Sequence, residues 1–238
     1  MTTTSTRSRY LFTLSLSLLL SLSATHADDG GVTYSITNNV PATKGGSRFR
    51  YRIGAVCARE AMVSATSFIW LTFGQANIPK DRKPVSHVRL SIDAMDGGGI
   101  SSYTPGVIHI SATYLGDYEG DVAREMVGLI YHEMTHVWQW DGNGQAPPGL
   151  VSGIADFMRL KSGHGPGNWA GPGKGDRWDQ GYEVTARFLD YCEGLMEGFV
   201  GELNRRMRFE YNPNFFKHLL GKSIDELWAE YKNKFKLN

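Results

Sequence analysis

The chain has 238 residues, of which 41% are hydrophobic and 12% aromatic. This composition is typical of a globular protein, excludes a wholly disordered chain, and suits one substantial domain or two small ones. The formal net charge is only +1, which leaves no overall field that would attract nucleic acid or an anionic membrane.

The first 27 residues have the features of a secretory signal peptide. Arg7 and Arg9 form a positively charged start, and residues 11–22 form an apolar stretch that is too short to span a bilayer. Residues 25–27 then place small side chains before a cleavage site. Removing residues 1–27 takes away two arginines and no acid, so 23 Lys and Arg remain against 24 Asp and Glu. We expect a secreted mature chain with a net charge of −1 and no membrane or nucleic-acid partner.

Strands are predicted early in the mature chain. Alternating apolar residues indicate strands at residues 31–38, 85–92 and 106–112. Between the first two, Ser47 can cap a helix whose apolar face continues to residue 73. The sequence therefore predicts three strands and one long helix in this half.

Helices are predicted to dominate the rest of the chain. Residues 121–140 contain no proline and carry apolar side chains around most of the helix, which indicates a helix that is buried on nearly all sides. The pattern predicts an α+β fold, with a small, mainly antiparallel sheet packed on helices and a helical C-terminal half. Further helices are predicted at residues 150–161, 182–196, 199–209, 214–220 and 224–235.

The chain has two cysteines, Cys57 and Cys192. In a secreted protein they could form a single disulfide that closes a long loop. Cysteine also packs as a small hydrophobic residue, so two buried free thiols are an equal alternative.

His132, Glu133 and His136 form an H-E-x-x-H motif within the predicted helix 121–140. Residues four apart on a helix lie on one face, so both imidazoles can reach one tetrahedral Zn²⁺ at about 2.0–2.1 Å. Glu133 can then accept a proton from the attacking water. The alternative is a hydrogen-bonded pair of core histidines, but buried polar groups need partners, and a metal would satisfy all three.

The sequence resembles the plant basic secretory proteins, a peptidase-like family of plants and bacteria. This resemblance covers nearly all of residues 28–238 and implies one zincin-like domain. It also implies a secreted protein of the apoplast, linked to plant defence and similar to gluzincin zinc metallopeptidases. The matching stretches are HEMTHVWQW (132–140), GNGQAPPG (142–149), GIAD (153–156), GDRWDQGYEVTARFLDYC (175–192) and LLGKSIDELWAEYK (219–232), with a weaker match at 33–39.

The resemblance also raises a question about the third zinc ligand. Gluzincins supply a Glu from the next helix, one turn before an Asp that orients a zinc histidine. Family members usually carry Glu immediately before GIAD, where this chain has Ser152, a neutral and poor zinc ligand. Asp156, one turn later, could become the third ligand or keep the orienting role. Glu183 and His164 are weaker candidates.

Two functions therefore remain open. The first is a secreted, monomeric zinc metallopeptidase that cleaves a peptide or protein substrate bound by strand addition along residues 106–112. The second is an impaired family member that acts as a secreted defence or binding protein, because Ser152 replaces the expected Glu. The enzyme interpretation assigns Zn²⁺ to His132, His136 and Asp156. It assigns the role of general base to Glu133. Tyr182 either contacts the oxyanion or is a packed tyrosine at the start of a helix.

Overall fold

The computed structural model describes residues 31–95 and 99–236, so the predicted signal peptide at residues 1–27 lies outside the described residues. Within these ranges the fold is α+β, with strands concentrated early and helices late, as expected from the sequence. The elements are β1 (Thr33–Asn38), α1 (Lys44–Arg52), α2 (Gly54–Thr72), β2 (His87–Asp93), β3 (Ser101–Thr104), β4 (Val107–Ser111), α3 (Ala112–Asp117), α4 (Val122–Trp138), α5 (Pro148–Lys161), α6 (Tyr182–Leu195), α7 (Phe199–Arg206), α8 (Asn214–Leu220) and α9 (Ile224–Lys234).

The sheet has the order β1-β2-β4-β3 and is mixed, so the prediction of a mainly antiparallel sheet is wrong. β1 pairs parallel to β2, and β2 pairs parallel to β4, while β3 pairs antiparallel to β4. The parallel pair β1–β2 is possible because α1 and α2 carry the chain back between the two strands. β3 turns directly into β4 at Gly106, whose φ of 81° suits a tight hairpin.

The sheet packs its apolar face into the main core. α2 contacts β1 and α4, and α4 also contacts β3 and β4, so α4 lies next to the edge strand. α5 packs against both α4 and α6. This arrangement brings the H-E-x-x-H helix, the edge of the sheet and the helix that carries Asp156 into one region. The fully buried strand residues are Val88, Leu90, Ile92, Ile108 and Ile110.

Several element boundaries differ from prediction by a few residues, and two of the differences have a clear local cause. The predicted helix 47–73 is split where Gly54 adopts a φ of 79°, and it begins earlier because Thr43, rather than Ser47, accepts a hydrogen bond from Gly46 N. The predicted strand 106–112 ends at Ser111, whose side chain caps α3.

Cys57 and Cys192 are both free, so they do not form a disulfide. Cys192 is buried, as the alternative of two buried thiols predicts, but Cys57 is exposed, which that alternative did not predict. Among the helices within residues 31–95 and 99–236, none combines the length and the apolar character needed to cross a membrane.

Gly153 allows α5 and α6 to approach closely beside the cleft described below. A Cβ atom at this position would overlap the Cβ and Cγ2 atoms of Thr185. Thr185 cannot simply rotate away, because its hydroxyl donates to Trp178 O at 2.7 Å and accepts from Gly181 N at 2.8 Å. We expect Gly153→Ala to lower the free energy of unfolding by about 1–3 kcal/mol, as overpacking does elsewhere.

Urea denaturation would measure this change, with Gly194→Ala as the matched control. Gly194 also lies in a helix, but a Cβ there would meet no atom within 4 Å. Alanine favours helix over glycine by up to about 1 kcal/mol, so this control should be neutral or stabilising. Equal midpoints for the two variants would contradict the steric argument.

Candidate functional site

α4 forms one wall of a cleft of about 940 Å³. The helix begins at Asp121, whose carboxylate accepts from the backbone of residues 123 and 124. The stripe of α4 that faces the cleft carries the H-E-x-x-H motif, and β3, α5 and the start of α6 supply the other walls. The cleft therefore collects every residue assigned to the enzyme from the sequence, namely His132, Glu133, His136, Asp156 and Tyr182.

The two histidines of the motif point their Nε2 atoms at each other. His132 Nε2 lies 3.1 Å from His136 Nε2. Two ligands at about 2.0–2.1 Å from a tetrahedral zinc ion would lie about 3.3 Å apart. The spacing of these nitrogens therefore suits two ligands of one ion.

Asp156 contacts the other nitrogen of the His132 ring. Its Oδ1 lies 2.6 Å from His132 Nδ1, and both side chains are almost fully buried. Burial opposes protonation of His132, but the hydrogen bond and the charge of Asp156 outweigh it and raise the pKa of this histidine. A carboxylate at Nδ1 holds the hydrogen there and leaves the Nε2 lone pair directed toward His136. This is the contact expected of the orienting role, whereas a third ligand would lie beside the two Nε2 atoms.

Gln139 contacts the Nδ1 atom of His136, and the sequence analysis did not identify it as a site residue. Its side-chain nitrogen lies 2.8 Å from His136 Nδ1 and 3.2 Å from Val151 O, while its Oε1 is buried without a partner among the described residues. As placed, the amide donates to Nδ1, so the hydrogen of His136 lies on Nε2 and faces His132 Nε2, as in a hydrogen-bonded histidine pair. Turning the amide over would let Oε1 accept from Nδ1–H and free the Nε2 lone pair of His136, but it would also set Oε1 against Val151 O. Burial, with nearby His132 and Lys83, lowers the pKa of His136 to about 3, so the ring is neutral as a metal ligand must be.

Glu133 is a buried carboxylate with an unused oxygen. Only 2% of the residue is exposed, and Oε2 has no hydrogen-bond partner among the residues that the structure describes. Burial raises the pKa of Glu133, while His132 and a hydrogen bond with Ser101 of β3 oppose this shift. A desolvated carboxylate beside two imidazoles has the properties of a general base.

Tyr182 and Ser152 both line the cleft. Tyr182 is 60% exposed, and its ring lies parallel to that of His132 at 6.4 Å. Its φ of 48° is in the left-handed region, which non-glycine residues rarely adopt outside functional sites. Ser152 lines the cleft, but its hydroxyl donates to Pro148 O at 3.0 Å in its own helix.

The two weaker ligand candidates take different positions. Glu183 lines the cleft next to Tyr182. His164 instead stacks on Tyr131 with ring centres 5.0 Å apart, and does not line the cleft.

The donor set fits zinc in part. His132 and His136 supply two converging nitrogens, but over residues 31–95 and 99–236 no group of three His, Cys, Asp or Glu side chains is arranged to hold a metal ion. Ser152 stands at the position where the resemblance to the family implies a Glu. The described residues therefore form a pair of histidines beside a buried carboxylate, Glu133, without a third His, Cys, Asp or Glu grouped around them.

Comparisons with known proteins identify the family of this chain. A protein of Boswellia serrata named "Basic secretory protease" is 41% identical over 58 residues, which are 24% of this chain and 66% of that protein, slightly less than two thirds of its length. No solved structure matches the chain. A sequence model of the family described as "Peptidase of plants and bacteria" (BSP) matches residues 29–231. Because this match covers most of the chain, the protein belongs to the BSP family of peptidases of plants and bacteria.

Proposed function

We propose that the protein is a peptide hydrolase that binds zinc through His132 and His136. The observation that carries this proposal is the 3.1 Å separation of the two buried Nε2 atoms, next to a buried carboxylate with an unused oxygen. Membership of a peptidase family supports the choice of a peptide bond as the substrate.

The polar residues around the histidine pair each have a role in this reaction. Zinc, when bound, supplies Lewis-acid polarisation of the scissile carbonyl. Glu133 accepts the proton of the attacking water and returns it to the leaving amine. Asp156 and Gln139 hold the two imidazoles in the orientation that directs both Nε2 atoms into the cleft. Tyr182 donates a hydrogen bond to the developing oxyanion from the open side.

The substrate binds along β3 in this proposal. The strand predicted at 106–112 for this role is β4, which is paired on both sides, so that assignment is wrong. β3 is the edge strand, and its residues Ser101, Ser102 and Tyr103 line the cleft. An extended peptide can add to the free edge of β3 and lie across the histidine pair.

We further propose that the mature protein acts outside the cell as a monomer, in plant defence. The predicted signal peptide at residues 1–27 and the name of the Boswellia serrata relative support secretion.

Zinc removal and return test the proposed function. The purified mature chain should bind about one zinc per molecule and hydrolyse peptides in a mixed peptide library. Dialysis against a chelator should abolish hydrolysis, and added Zn²⁺ should restore it, while the far-ultraviolet circular dichroism stays unchanged. Hydrolysis that survives complete removal of the metal would overturn the zinc-dependent mechanism.

An impaired family member remains the second candidate function. The absence of a third carboxylate or imidazole ligand among the described residues favours it, because Ser152 occupies the position of the usual Glu. Retention of Glu133 argues for catalysis, since a structural metal does not need a general base. The two candidates are separated by the Ser152 variant in the Discussion.

A further inference from the structure

Two basic side chains, those of Lys83 and Arg159, line the cleft in the part of the chain that the structure describes. Arg159 is already neutralised. Its Nη2 lies 2.7 Å from Glu125 Oε2, its Nε donates to His164 O at 3.1 Å, and both charged side chains are more than nine-tenths buried. A buried pair of this kind has little charge left for a ligand.

Lys83 is not paired in this way. It lies between the short 3₁₀ turn Pro79–Asp81 and β2, half-buried in the cleft wall. Within residues 31–95 and 99–236, no carboxylate oxygen lies within 4.0 Å of its Nζ. Asp141 acts on it from a longer distance, and this exposed carboxylate already accepts from Gly144 N at 3.1 Å.

The residues around Lys83 exclude water from part of its ammonium group, but among the described residues they place no carboxylate in direct contact with it. Its Nζ lies 5.5 Å from the centre of the Trp140 ring, so the aromatic side chain rather than water covers part of the ammonium. Burial lowers the pKa of Lys83, and Asp141 opposes this shift only in part. A partly desolvated ammonium gains strongly from an incoming anion.

Lys83 is also close to the reacting centre. Its charge acts on His136, the histidine nearer the C-terminal end of α4. Glu125 and Arg159 belong to the opposite end, near the start of α4. A substrate that lies along β3 across the histidine pair therefore passes Lys83 on one side of the scissile bond only.

We propose that Lys83 determines substrate specificity by binding a carboxylate of the peptide on the side of the C-terminal end of α4. This proposal rests on the proposed function of the cleft, since it assigns the binding preference of the same site. The carboxylate comes either from the C-terminus of the peptide or from an acidic side chain, and both present the same anion to the ammonium.

Binding without turnover tests this proposal. The probes are one peptide with either a free C-terminal carboxylate or a C-terminal amide, and an amidated peptide series with Glu or Gln at each position. Calorimetric titration of the zinc-loaded Glu133→Gln protein gives Kd for each. We expect one carboxylate form to bind about tenfold more tightly than its neutral partner, as a charge-assisted contact would give. The two probe types distinguish a C-terminal carboxylate from a side-chain carboxylate.

Substitutions at position 83 then assign the preference to this residue. Lys83→Gln should abolish it, Lys83→Arg should retain most of it, and Lys80→Gln should leave it unchanged, because Lys80 is exposed in the 3₁₀ turn and does not line the cleft. Equal binding of charged and neutral peptides, or a preference that survives Lys83→Gln, would overturn this inference but leave the proposed peptidase standing. Failure of every peptide to bind would overturn both.

Discussion

Glu133→Gln is expected to lower kcat for peptide hydrolysis by about 10²–10⁴-fold, the usual contribution of a general acid–base group. The carboxylate is buried, with Oε2 unpartnered among the described residues, and it lies between the histidine pair and Ser101 of β3. Glutamine preserves the size of the side chain but cannot accept the proton. Because neither imidazole contact involves Glu133, bound zinc should be unchanged. Steady-state kinetics and metal analysis on the same preparation measure both quantities.

Glu183→Gln is the matched control for this variant. Glu183 lines the same cleft and loses the same charge, but it belongs to α6 and makes no contact with the two histidines. We expect kcat to change by less than about threefold, within the range of a distant surface charge. Equal losses in the two variants would show that the negative charge of the cleft matters, rather than proton transfer by Glu133.

The sequence predicts the histidine pair well because its geometry is local. The spacing of His132 and His136 fixes their relative position as soon as a helix forms, and apolar residues around α4 make that helix clear. The same periodicity predicted that Asp156, one turn after Ser152 in the next helix, lies near the pair. It left open whether Asp156 is a third ligand or the orienting carboxylate, and the structure has it against His132 Nδ1. Such relationships depend on helical periodicity and short loops, which a single sequence reveals.

Contacts that depend on the sheet or on distant loops could not be predicted in this way. β3 reads SSYT, four residues without apolar alternation, and its strand conformation is imposed by pairing with β4. Missing it led to the wrong edge strand. The pairing type was wrong for a different reason, because the three predicted strands, β1, β2 and β4, pair parallel, and the helices α1 and α2 connect β1 to β2. Lys83 precedes the histidines by about fifty residues in a polar loop with two prolines, and only the tertiary fold brings it into the cleft.

Ser152→Glu is expected to tighten zinc binding by more than about tenfold. Loss of a group that only orients a metal ligand already weakens metal binding by about tenfold or more, and a direct ligand should have a larger effect. Ser152 precedes Asp156 by one helical turn and lines the cleft beside the histidine pair. Its hydroxyl now donates to Pro148 O and is neutral, so it offers no anionic donor. The facing residue is Gly181, where even a Cβ atom would come within 3.1 Å of Ser152 Oγ. A longer side chain at position 152 must therefore extend away from Gly181, toward the cleft that Ser152 lines.

Competition with a chromogenic chelator measures the zinc Kd, and kcat/KM for the best peptide follows on the same samples. Ser152→Gln is the control, because it has the length of Glu without the charge and should bind zinc no more tightly than the natural chain.

If the natural chain is inert and free of zinc while Ser152→Glu gains both metal and activity, the impaired alternative is correct and position 152 accounts for the loss. If the natural chain already hydrolyses peptides with zinc bound, a two-histidine site suffices. The added carboxylate should then raise the affinity for zinc more than it raises kcat, because Glu133 rather than residue 152 moves the proton. Weaker zinc binding by Ser152→Glu than by Ser152→Gln would show that the side chain at 152 does not reach the histidine pair.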